Sequence, residues 1–421
     1  MTKRNIIPLS LLFVFALGAC KGDVTPPPAP TPSPVSETLS PTPSPEPTPT
    51  PEPAEDEISA MTIEELAGQL LVVGVEGTQP GEDAHRVIED LRPGGIILFG
   101  RNVDSAPQLA ALTNGLKEIN REAGNIPLFL CVDEEGGMVS RMPPEVADIP
   151  NAYDYLRSKR GGTEALGQIL AAECATFGFH VDFAPVLDIW SNPNNTVIGK
   201  RSFHTDPLEV TIAGPSVAYS MMDAGVIPVV KHFPGHGDTA TDSHVGLPAV
   251  DKTREELEDN ELMPFRFAVD GGVWKALRHT PVPAVMVGHI LLTEVDPLLP
   301  SSISPAVVDG LLRQELGFEG VVFTDDLTMG AISNTYSLGE AAVKAVQAGC
   351  DMLLVCHGLD NARAAHAALL EAVEAGDLTR SRLEESVGRI LALKEAYGVD
   401  DSPVGIPDVE KLNEAIRAVI P

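Results

Sequence analysis

One segment of the chain concentrates groups that move protons. Lys231 to Pro248 reads KHFPGHGDTATDSHVGLP and carries His236, Asp238, Asp242 and His244 on a glycine-rich stretch. Asp242 and His244 stand two residues apart. A carboxylate beside an imidazole orients it and stabilises its charged form, which makes His244 a candidate proton shuttle. Gly235 and Gly237 permit tight or left-handed backbone and favour a mobile loop. His236 and Asp238 read as the hydrogen-bonding scaffold of that loop. A second segment is Thr324-Asp325-Asp326-Leu327-Thr328-Met329. A carboxylate there can serve as metal ligand, base or nucleophile. Metal is the weaker reading, because no HxH pair stands near the start of the fold. No metal and no cofactor is expected.

These groups need a frame, and eight apolar runs supply one. They are Leu70 to Val75, Gly95 to Phe99, Pro127 to Val132, Val181 to Leu187, Ile227 to Lys231, Ala284 to His289, Val321 to Thr324 and Met352 to Cys356. Continuous apolar runs suit parallel strands covered on both faces. Amphipathic stretches such as Ala106 to Glu122, Thr163 to Phe177 and Leu338 to Ala348 lie between them. Eight strands alternating with helices predict an α/β fold, a single TIM-like (β/α)8 barrel. No GxGxxG follows the first run, which weighs against a doubly wound dinucleotide fold. The helix Arg380 to Tyr397 is expected to close the barrel.

Barrel chemistry sits at the C-terminal ends of strands. The third run ends in Asp133-Glu134-Glu135-Gly136-Gly137, the fourth in Asp188, the fifth in Lys231-His232, the sixth in His289 and the seventh in Asp325-Asp326. A single buried Asp or His is more often a structural hydrogen-bonding group. Titratable residues at five equivalent positions point instead to one functional rim.

The ends of the chain read differently. Lys3 and Arg4 precede the apolar stretch Ile6 to Ala19, which is too short to span a bilayer comfortably. Leu17-Gly18-Ala19-Cys20 resembles a bacterial lipobox, so residues 1–20 are expected to be a lipoprotein signal peptide with Cys20 as the lipid attachment site. Residues 21–56 are dominated by Pro, Thr, Ser and Glu and predict an extended, core-less linker. The catalytic barrel is placed at 57–400 and a C-terminal tail, packed outside it, at 401–421. The chain is therefore expected outside the cytoplasm, anchored to a bacterial membrane by lipid. Its 29 basic and 60 acidic side chains give a formal net charge of -31, which argues against nucleic acid as a partner. No CxxC pair occurs among the five cysteines.

At these residues the chain resembles glycoside hydrolase family 3, in its β-N-acetylglucosaminidase branch. KHFPGHGDTATDSH is similar to that branch's signature loop and TDDLTM to its nucleophile segment. Asp133 to Gly137 followed by Arg141, and Gly199-Lys200-Arg201-Ser202-Phe203, are similar to its sugar-binding segments. Arg389 to Lys394 fits as well, so the resemblance spans roughly residues 57–400. It implies that Asp325 is the nucleophile and His244 the acid/base, paired with Asp242. It implies that Asp133, Arg141, Arg201, Lys231 and His232 bind the hydroxyls of a terminal sugar. The implied activity is retaining exo-hydrolysis of β-linked N-acetylglucosamine from peptidoglycan fragments or chitin oligosaccharides.

Two positions depart from the pattern: Met138 stands where Arg is usual and Glu134 where Gln is usual. Val273 to Pro283 looks inserted before the sixth run. Alternative readings are a phosphorylase acting on the same sugar, since a neutral His does not repel an anion, and a non-catalytic lipid-anchored sugar-binding protein. A β-glucosidase would keep Asp325 with a different acid/base.

Overall fold

The computed structural model describes residues 55–158, 161–239, 243, 246–271 and 280–420. Cys20, most of the proline-rich stretch, Asp242, His244 and the bulk of the 273–283 segment lie outside the described residues. Eight strands form one parallel sheet: β1 (Leu71–Gly74), β2 (Gly95–Leu98), β3 (Phe129–Val132), β4 (Val181–Asp182), β5 (Ile227–Phe233), β6 (Ala284–Val287), β7 (Val321–Thr324) and β8 (Leu353–Val355). The order is β8-β1-β2-β3-β4-β5-β6-β7. A parallel bridge between Phe323 and Met352 joins the two ends, with the Thr324 N–H donating to the Met352 carbonyl. The ring is thereby closed, as a (β/α)8 barrel requires.

Every residue of these eight strands is buried. Helices outside and side chains inside leave no strand face to water, which is why the sequence shows runs rather than alternation. β4 is much shorter than the expected Val181 to Leu187. Pro185 has no N–H to give the ladder. The chain keeps its place beside β5 through a bridge between Val186 and Lys231, with the Leu187 N–H donating to the Lys231 carbonyl at 2.6 Å.

The surrounding helices include α1 (Ala106–Glu122), α2 (Thr163–Thr176), α3 (Pro207–Asp223), α4 (Leu262–Asp270), α5 (Leu338–Ala348), α6 (Leu359–Ala375), α7 (Arg380–Ala396) and α8 (Val409–Val419). Their ends are written locally. Ser105 and Gln108 form a reciprocal cap at the start of α1, and Gly349 ends α5 in the left-handed region at φ 114°. α8 lays Leu412 and Ile416 into the core shared with α2, while Asn413 accepts the Ala147 N–H at 2.6 Å. Residues 409–419 are thus packed onto the barrel's outer layer.

At the opposite end from the strand C-termini, fully buried Asp351 ties the last elements together. Its carboxylate accepts from the Val322 N–H at 2.9 Å, Ser386 Oγ at 2.7 Å and Arg389 at 3.1 Å, and from Arg313. Those partners come from β7, from α7 and from the helical segment Ala306–Glu315. A buried carboxylate is stable only with such compensation. Asp351→Ala removes the buried counter-charge of Arg313 and Arg389 and is expected to cost about 3–5 kcal/mol. A lowered urea midpoint at unchanged slope would show it.

Candidate active site

A pocket of about 350 Å³ opens at the C-terminal ends of the strands. Asp133, Arg141, Arg201, Lys231, His232 and Asp325 all line it, with Glu135, Ile97, Met286 and Leu354. One wall is an ion network. Lys231, 2% exposed, donates to Asp133 and lies 2.7 Å from both Asp133 and Glu135. Arg201 meets Glu135 through two hydrogen bonds of 2.8 Å each. A planar guanidinium matches a carboxylate in this forked way. Burial pushes Glu135 up, yet Arg201 and Lys231 outweigh it and hold its carboxyl well below the usual carboxylate range. Burial likewise works against the Lys231 ammonium, but Asp133 and Glu135 hold its affinity for the proton above the ordinary lysine value.

His232 completes this wall from behind. Its Nδ1 lies 2.6 Å from Asp188 Oδ2, so the ring donates there and turns Nε2 toward Arg201 at 3.5 Å. Asp188 also accepts the His236 N–H at 2.6 Å. Burial raises the Asp188 carboxyl, and His232 and His236 more than reverse this. The start of the glycine-rich segment is pinned rather than loose. His236 is 1% exposed and bonds Thr239 through Nδ1 at 2.7 Å and Ser243 through Nε2 at 3.3 Å. Gly237 approaches Ile189 so closely that a Cβ would stand 1.7 Å from the Ile189 carbonyl oxygen. Ser243, flanked by Asp242 and His244, lines the pocket, and its carbonyl accepts the Ala331 N–H at 2.9 Å.

The two consecutive aspartates after β7 have different partners. Asp326 is engaged on both oxygens: Oδ1 accepts the Thr328 and Cys356 N–H groups at 3.0 and 3.1 Å, and Oδ2 accepts the Thr328 hydroxyl at 2.6 Å. Asp325 accepts only the Asp326 N–H, at 2.8 Å on Oδ1, among the bonds described. Both aspartates line the pocket, but among the described residues only Asp325 keeps a carboxylate oxygen without a hydrogen bond. Burial raises its proton affinity, but His289, His232, the Asp326 N–H and Lys231 together hold it below the usual carboxylate range. His289, fully buried, bonds Ser302 Oγ at 2.6 Å and the Asp326 carbonyl at 2.9 Å, which braces this turn.

Sequence reasoning left out Glu135, which the motif contained but which shows its place only through Arg201 and Lys231. It also left out the far wall, where Phe99 and His357 stack at 5.6 Å between ring centroids. No group of three metal-binding side chains is arranged for an ion among the described residues. Lys231→Met leaves Asp133 and Glu135 without their shared cation. It is expected to cost about 3–5 kcal/mol of stability, read as a lowered urea midpoint at unchanged slope.

Comparison with known proteins places this geometry. The sequence profile of the glycosyl hydrolase family 3 N-terminal domain matches residues 62–393. A β-hexosaminidase of Alkalilimnicola ehrlichii is 37% identical over 68% of this chain and 80% of its own length. The β-hexosaminidase LpqI of Mycobacterium tuberculosis is 37% identical over 77% of this chain and 81% of its own. The solved structure of a family 3 β-N-acetylglucosaminidase from a Paenibacillus species superposes with a TM-score of 0.79 at 40% identity, covering 86% of this chain and 68% of that one. With the closed barrel, the rim of charged strand ends and a family match that spans most of the chain, this protein belongs to glycosyl hydrolase family 3 and is a glycoside hydrolase.

Proposed function

We propose that the enzyme is a retaining exo-β-N-acetylglucosaminidase, with Asp325 as nucleophile and His244, paired with Asp242, as acid/base. The observation that carries this reading is the asymmetry of the two aspartates, which leaves one ionised carboxylate facing a pocket walled by sugar-compatible ion pairs. The names of the relatives support the acetamido sugar. In the first step Asp325 attacks the anomeric carbon and the C–O bond to the leaving group breaks, while protonated His244 gives its proton to the departing oxygen. The neutral imidazole then takes a proton from water as that water attacks the anomeric carbon, and Asp325 leaves as carboxylate. Two inversions give net retention. Asp133, Arg141, Arg201, Lys231 and His232 bind the hydroxyls of the non-reducing sugar, through donors and acceptors of fixed geometry. The natural substrate is terminal β-linked N-acetylglucosamine in peptidoglycan fragments or chitin oligosaccharides.

The test is hydrolysis of 4-nitrophenyl N-acetyl-β-D-glucosaminide, beside the matching β-glucoside, each with and without phosphate. Activity is expected on the acetamido sugar, unaltered by phosphate. Asp325→Ala is expected to lose about 10³-fold or more in kcat. Phosphate-dependent turnover would move the reading to phosphorolysis, and a folded protein inert on both sugars would favour a binding role.

The membrane attachment is part of the same proposal. Cys20 carries lipid, and the Pro-, Thr- and Ser-rich composition that follows suits a spacer between that anchor and the barrel. No described helix is long and apolar enough to cross a membrane. Globomycin is expected to block processing in the bacterial host, and Cys20→Ala to release the protein from the membrane fraction. Unchanged processing under globomycin would sink the anchor.

A further inference from the structure

The 133–141 turn delivers Glu135 and Arg141 to the pocket, and its centre is a side chain that the mechanism above does not use. Glu134 is 1% exposed. Its Oε1 accepts the Gly136 N–H at 3.1 Å. Its Oε2 accepts the Ser140 hydroxyl at 2.9 Å and the Arg141 N–H at 2.6 Å. The turn is tight: Gly136 and Gly137 are left-handed at φ 76° and 60°, and the Glu135 N–H closes on the Val139 carbonyl at 2.8 Å. With the backbone curled around one carboxyl group, the position of Arg141 depends on what that group accepts. We infer that Glu134 is a positioning residue of the sugar pocket, holding through these three bonds the turn that presents Glu135 and Arg141 to the substrate. This rests on the reading of the pocket as a sugar site.

The surroundings add a second property. Behind Glu134 stand Asp182 from β4, which accepts the Glu134 N–H at 2.9 Å, and Glu173 and Cys174 from α2. Arg141 faces it from its own turn, and Lys231 and Asp133 act on Asp182. Among the described residues, Asp182 Oδ2 and Glu173 Oε2 are buried without hydrogen-bond partners. Burial raises all three carboxyls. That of Glu134 is pushed up to about 7, against the lowering pull of the Arg141, Ser140 and Gly136 donors and the Arg141 charge. Two of the three groups that Glu134 accepts from are backbone N–H, which can only donate. The ionised carboxylate takes all three donors with charge-assisted bonds, whereas the acid form must place its own proton, with only the Ser140 hydroxyl free to turn. The turn is therefore held most firmly above neutral pH. A glutamine has no such transition.

The experiment compares wild type, Glu134→Gln, Glu134→Ala and Asp325→Ala on 4-nitrophenyl N-acetyl-β-D-glucosaminide from pH 5.5 to 8.5, with circular dichroism to establish folding. The wild-type KM is expected to fall as pH rises through the Glu134 transition. Glu134→Ala is expected to raise KM about tenfold with kcat within about threefold, the mark of lost ground-state binding. Glu134→Gln, whose amide nitrogen must face one of the two backbone N–H donors, is expected to raise KM several-fold and to abolish its pH step. A folded Glu134→Ala with wild-type KM overturns the inference. So does a Glu134→Gln that keeps the pH step, and this variant decides alone if the alanine protein does not fold. Full activity in Asp325→Ala would instead overturn the site reading on which the inference rests.

Discussion

The structure depends most on the ammonium of Lys231. It is withdrawn from water at the end of β5 and held between Asp133 and Glu135 at 2.7 Å from each. Desolvating a cation costs several kcal/mol, and only close, well-oriented counter-charges offset that cost. Glu135 in turn is shared with Arg201, so four side chains from three separate stretches form one buried network. Loss of any member leaves a charge uncompensated inside the protein. The network therefore fixes how the loops after β3 and β4 lie over the barrel mouth, and with them the shape of the pocket.

On the other side of the mouth, hydrogen bonds decide what charge cannot. Asp325 and Asp326 are adjacent and chemically identical. Thr328 and the Cys356 N–H occupy the second and tie it to the end of β8, while the first is left to the pocket. His289, two residues past the end of β6, holds the Asp326 carbonyl on the far side of that pair. The proposed nucleophile is thus defined as much by its neighbour's partners as by its own surroundings. The cations near it keep it ionised despite burial.

The two departures from the family pattern fall in unlike environments. Met138 is 63% exposed and is not among the residues that line the pocket. Glu134 lies at the hub of the same turn, buried among other carboxyls. A change of residue type there alters charge where no water can screen it. The same contrast holds in the glycine-rich segment. Its glycines suggested movement, but Gly237 serves a close approach and His236 is locked by Thr239 and Ser243.

The sequence by itself determined the barrel and the rim. Eight apolar runs of strand length alternating with helical stretches suit parallel strands covered on both faces, and parallel strands in a barrel place their C-terminal residues at one end. Asp133, Lys231, His232 and Asp325 were legible for that reason, because each directly follows or ends a run. The Asp242–His244 spacing and the lipobox resemblance are local readings too, and both lie outside the described residues. What only the tertiary structure decided is who pairs with whom. Glu135 with Arg201, Asp188 with His232, the Glu134 N–H with Asp182 and Asp351 with three arginines join residues far apart in the chain. No local spacing encodes such contacts, since they follow from strand order and register. The break in β4 belongs there too: Pro185 was visible in the sequence, but its effect on the ladder showed only once β5 lay beside it.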